Sequence, residues 1–123
     1  MLYESVTVRG LRRRVIVDRP RREGRLPALL LIGGLGCYSL NGTARRSWYG
    51  RILSAFEEEG FVTMRVEKTG EGDSGGPPCT DLSVTPDVEA EGYSPTCASS
   101  RRRDYVDPTR VFLFAHSLGP LIA

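Results

Sequence analysis

Val111-Phe112-Leu113-Phe114-Ala115-His116-Ser117-Leu118-Gly119 runs a short apolar segment straight into a serine with small residues on both sides. A buried strand feeding such a serine is the pattern of a nucleophile elbow. The chemistry needs that geometry. A sharp strand-to-helix turn lifts the hydroxyl above the sheet and brings the next backbone N–H to where a developing oxyanion can accept it. Small flanking residues let strand and helix pack closely, although Ala115 adds a methyl where glycine is usual. A serine two residues before a glycine is common by chance. The strand context favours a nucleophile over an ordinary helix-capping serine.

Working back from this segment, residues 26–32 form a continuous apolar run ending at Gly33-Gly34, as expected of a strand buried on both faces. A long loop, 33–46, leads to a helix expected over 47–59. Ser47 is placed to cap it, Trp48, Ile52, Ala55 and Phe56 share one face, and Gly60 ends it. Residues 61–66 read as the next strand, so strand, helix and strand imply a parallel crossover. Near the N-terminus, 5–8 and 15–17 are rich in β-branched residues around a turn at Arg9-Gly10, which predicts an antiparallel edge hairpin. Residues 68–86 are loop. A crossover helix is due within 87–103, but Pro95 would break it, and Ser94, Ser99 and Ser100 favour caps and turns. Asp107-Pro108 marks a turn before the strand 111–114.

Three segments carry a family resemblance. They are Ala115 to Gly119, the strand and loop Leu29-Leu30-Leu31-Ile32-Gly33-Gly34-Leu35-Gly36, and the turn Arg65-Val66-Glu67-Lys68-Thr69-Gly70-Glu71-Gly72-Asp73-Ser74. In this order the chain resembles the α/β-hydrolase superfamily. They look like its elbow, its H-G-x-G oxyanion loop and its D-x-R-G-x-G-x-S turn. The lead-in Val106-Asp107-Pro108-Thr109-Arg110-Val111 resembles its esterase- and peptidase-like branches. The resemblance implies an α/β fold with an N-terminal antiparallel hairpin followed by parallel strands and crossover helices. The whole of 1–123 would be the N-terminal part of one such domain. It implies a serine hydrolase acting on a small-molecule ester or amide, with Ser117 as nucleophile and the backbone N–H groups of Leu35 and Leu118 as oxyanion donors. Gly33 stands where the family often has histidine. In the family the acid and the histidine follow the serine, and only residues 118–123 follow it here. The expectation is an incomplete chain whose acid and base lie outside it, the alternative being a non-catalytic remnant or interaction module.

Other readings compete at single features. Gly70-Glu71-Gly72-Asp73-Ser74-Gly75 fits a dinucleotide-binding pattern, but Gly76-Pro77-Pro78 follows where a helix must open, so a tight turn is favoured. His116, the only histidine, adjoins Ser117. Neighbours at a sharp turn point apart, so it is not expected to be the base. The run Arg12-Arg13-Arg14 is read as a solvated hairpin rather than a phosphate site.

Composition bounds the rest. A chain of 123 residues, 40% hydrophobic and 26% charged, suits a globular domain or part of one, not a disordered tail. A net charge of +2 is too small to argue for nucleic acid. Lys68 is the only lysine. Cys37, Cys79 and Cys97 are odd in number and show no close spacing, which does not suggest a disulfide framework. Cys37 and Cys79 sit in loops flanking the expected site, where they could lie near each other or offer a reactive thiol, but two unpaired loop cysteines are favoured. No metal or cofactor is expected. No leader-like segment is visible, and the longest apolar run is too short for a membrane span. The chain is therefore expected to be cytoplasmic.

Overall fold

A computed structural model describes residues 1–41, 47–117 and 119–122. Its centre is a five-stranded mixed sheet. The strands are β1 (Leu2–Val8), β2 (Leu11–Asp18), β3 (Leu26–Ile32), β4 (Val62–Val66) and β5 (Val106–Ala115), in spatial order β1-β2-β4-β3-β5. β1 and β2 form the expected antiparallel hairpin, with Val8 opposite Leu11. Its two-residue turn holds Arg9 and Gly10 at φ 48° and 78°, the doubly left-handed turn that matches strand twist. β3 runs parallel to both β4 and β5.

The helices are α1 (Trp48–Glu58), α2 (Pro86–Ala90), α3 (Tyr93–Ser100) and α4 (Gly119–Ile122). α1 begins as expected, since Ser47 Oγ accepts the Gly50 N–H, and Gly60 beyond it sits at φ 94°. One sheet face buries Val15, Val17, Leu30, Ile32, Met64 and Val66 against Tyr93, with Ala90 and Cys97 packed alongside. On the other face Thr63 donates to Glu57 of α1, and Arg65 reaches the Leu40 carbonyl. None of the helices among the described residues is long and apolar enough to cross a membrane.

Five expectations change. The crossover segment 87–103 holds two short helices instead of one. Pro95 falls in the first turn of α3, where its missing N–H costs nothing, and the Ser99 and Ser100 hydroxyls turn back onto the Thr96 and Cys97 carbonyls. Asp107-Pro108 is not a turn but an irregularity inside a longer β5, where the register against β3 slips between Leu26 and Ala28. Asp107 accepts from Thr109 and Arg110 there, which holds its carboxyl down at about 2.

The predicted apolar face of α1 is not the buried one. Gly50 and Leu53 are buried, while Trp48 and Ala55 are exposed. From that face Trp48 and Phe56 meet the rings of Phe114, His116 and Phe61 instead of the buried core. Arg12-Arg13-Arg14 is not a solvated run. Arg12 and Arg14 both pair with Asp73, and buried Arg13 donates to the Val88 carbonyl. Cys37 and Cys79 are joined in a disulfide, with Cα atoms 5.4 Å apart, and Cys97 is free. A separation of 42 residues hid the pair from any spacing argument.

Candidate active site

The ends of β3 and β5 are tied where the His116 N–H donates to the Ile32 carbonyl at 3.2 Å. Ser117 follows at φ 61°, a left-handed conformation that costs a non-glycine residue about 1–2 kcal/mol. The Gly119 N–H closes the turn onto the His116 carbonyl at 2.9 Å. The small residues are demanded by contact. A Cβ on Gly119 would stand 2.8 Å from the Ile32 carbonyl oxygen. A Cβ on Gly34 would stand 2.9 Å from Ser117 Cβ and 3.3 Å from its Oγ. The methyl of Ala115 is accommodated, packed partly buried against the core. Two glycine-bearing segments 85 positions apart in sequence thus meet at one serine. Leu118 lies outside the described residues.

Gly34, Leu35, Tyr38, Tyr49, His116 and Ser117 line a cleft of about 280 Å³. Its polar groups are connected. The Gly34 N–H donates to Tyr49 Oη at 3.3 Å, and Tyr38 Oη donates to the Gly34 carbonyl at 2.9 Å. The two phenol oxygens are 3.3 Å apart, and Tyr49 Oη lies 3.0 Å from His116 Nδ1. Burial, reinforced by the bond with Tyr49, raises the Tyr38 phenol pKa, so it stays a donor at neutral pH. His116 is engaged by Tyr49 and lies against the Trp48 ring at 4.6 Å.

Beneath the cleft sit charged residues from the glycine-rich turn after β4. Lys68, 2% exposed, donates from Nζ to the same Gly34 carbonyl at 2.8 Å. It lies 5.3 Å from the centre of the Tyr38 ring and 3.8 Å from a Glu89 carboxylate oxygen. The buried carboxylate of Glu67 accepts from Ser39 Oγ and from the Leu40 and Lys68 N–H groups. Arg65 pairs with Asp18 and holds the Leu40 carbonyl. These groups set the path of the loop after β3. Sequence reasoning did not assign a role to Tyr38, Tyr49, Glu67 or Lys68. One signal was present for Lys68: a solitary lysine in an arginine-rich chain, within a glycine turn directly after a buried strand.

Comparison with solved structures defines the class. The chain has the N-terminal part of the α/β-hydrolase fold. It aligns over 98% of its length with the α/β hydrolase GrgF from Penicillium sp. sh18, at TM-score 0.76 and 20% identity, covering 39% of that chain. Est1E from Butyrivibrio proteoclasticus, solved with ferulic acid bound, gives 0.74 and 19% identity, with 97% of this chain and 44% of Est1E covered. An α/β serine hydrolase homologue from Coxiella burnetii gives 0.69 and 18% identity, with 98% and 54% covered. The chain therefore spans roughly half of these proteins or less. No family model and no curated protein matches the sequence.

Proposed function

We propose that Ser117 is the nucleophile of a serine hydrolase acting on a small carboxylic ester or amide. The observation that carries this reading is the strained φ of Ser117 at the tip of β5, beside Gly34 of the loop after β3, where there is no room for a side chain. Backbone strain of this kind is retained where a side chain must be presented. In the reaction Ser117 Oγ attacks the carbonyl carbon and gives its proton to a base. The tetrahedral oxyanion is held by the Leu35 and Leu118 N–H groups. Collapse expels the protonated alcohol or amine, and water then releases the acid from the acyl-enzyme. His116 is the only histidine in the sequence and is turned to Tyr49, so the reading leaves the base and its acid to polypeptide beyond these 123 residues.

The disulfide removes one ground for a cytoplasmic location, since paired cysteines are typical of oxidising compartments. A second reading, a non-catalytic interaction module, is favoured by one observation: Phe112 and Leu113 are each 48% exposed on edge strand β5. Labelling with a fluorophosphonate separates the two. In the protein as its gene encodes it, we expect labelling that Ser117→Ala abolishes. Labelling that persists in Ser117→Ala rejects Ser117 as nucleophile, and a folded protein that never labels favours the interaction module.

A further inference from the structure

We infer that Lys68, with Tyr38, is a positioning residue that locks the Gly34–Leu35 peptide so that the Leu35 N–H faces Ser117. This rests on the hydrolase reading above and deepens it. The carbonyl of that peptide accepts two donors, Lys68 Nζ at 2.8 Å and Tyr38 Oη at 2.9 Å. Both of its lone-pair directions are thereby used. No peptide bond among the described residues is cis, so the Leu35 N–H points away from its carbonyl. Of the two donors Lys68 is buried, while Tyr38 lines the cleft together with Leu35 and Ser117. In this arrangement the N–H, opposite the carbonyl bound by Lys68 from the buried side, faces the side where an oxyanion formed at Ser117 would sit.

Two consequences follow from the chemistry of the donors. On its carbonyl side the peptide is flanked by Gly34, whose ψ is free of a side chain, so rotation of the peptide plane meets less steric resistance there than between two substituted residues. A charge-assisted bond and a phenol bond on one oxygen oppose that rotation. They also polarise the amide, which makes its N–H a stronger donor. Lys68 is held in turn by Glu89 of α2, whose other carboxylate oxygen accepts the Thr69 N–H at 3.3 Å. A single ammonium thus connects the turn after β4 and the helix α2 to one peptide of the oxyanion loop.

The test uses the encoded protein, p-nitrophenyl acetate as substrate and a boronic acid that forms a tetrahedral adduct on serine. Lys68→Met is expected to lower kcat by about 100-fold, the order of losing one oxyanion donor. KM should stay within about two-fold, and the boronate should weaken by about the same factor as kcat. Tyr38→Phe, which keeps the ammonium, should lower kcat by about five-fold, one neutral hydrogen bond. Unchanged kcat and boronate affinity in a folded Lys68→Met overturns the inference, as does an equal loss of affinity for the product acid, which would mark general distortion. If Lys68→Met does not fold, Tyr38→Phe decides by the same two readouts. Activity surviving in Ser117→Ala marks failure of the hydrolase reading itself. Full activity in Lys68→Met with none in Ser117→Ala marks failure of this inference alone.

Discussion

At the turn that carries Ser117, the cost of an added methyl can be read from the atoms it would meet. A methyl on Gly119 meets the Ile32 carbonyl oxygen, part of the main chain of β3, which cannot swing aside as a flexible side chain would. Gly119→Ala should therefore destabilise the fold by about 1–3 kcal/mol, the usual range for overpacking. The midpoint of urea unfolding measures it, and an unshifted midpoint would show that the turn has room the contact distances deny. Gly34 differs, because the two nearest atoms its methyl would meet belong to Ser117 itself. There the displaced group is the proposed nucleophile, not a structural carbonyl.

Among the elements, the glycine-rich connection after β4 does more than turn the chain. It sends Glu67 and Lys68 under the loop that follows β3, pairs Asp73 with Arg12 and Arg14 of β2, and ends at Cys79, bonded to Cys37 of that same loop. The bridge closes a separation of 42 residues, for which chain entropy alone gives a stabilisation of about 4 kcal/mol. Of the three cysteines in these 123 residues, thiol mapping of the unfolded, unreduced protein should find only Cys97 reactive, and all three after reduction. Reduction should also lower the urea midpoint. Cys37 and Cys79 reactive before reduction would mean the bridge does not form. The helices that follow this connection show how far local pattern reaches. Pro95 correctly forbade one long helix, yet its tolerance in a first turn allowed two short ones, which local pattern alone did not anticipate.

Over the whole molecule, buried and half-buried phenols set how the fold meets alkali. Tyr105 Oη donates to Glu4 of β1 at 2.8 Å, and Arg103 pairs with the same carboxylate. Burial, then that hydrogen bond, pushes the Tyr105 phenol from its ordinary 10.0 up to about 12. Between those values the folded protein keeps a proton that the unfolded chain has lost, so stability should fall as pH rises from about 10 to about 12. Burial raises Tyr38 and Tyr93 as well, which extends the loss to higher pH. Unfolding midpoints across this range should decline less steeply in Tyr105→Phe, and an identical decline would remove Tyr105 from the account. The hairpin, the strands 26–32 and 61–66, the capped helix after Ser47 and the serine turn were legible because strand alternation, apolar runs, caps and turns are local properties of neighbouring residues. The sequence by itself thus determined the order of the elements and the serine at the end of β5. Only the tertiary structure decided the Cys37–Cys79 pair, the outward-facing apolar side of α1, the pairing of the arginine run with Asp73, and the meeting of Tyr38 and Lys68 on one carbonyl. Each joins residues from different elements, or depends on which elements lie alongside, and no local period encodes the distance between segments that only packing brings together.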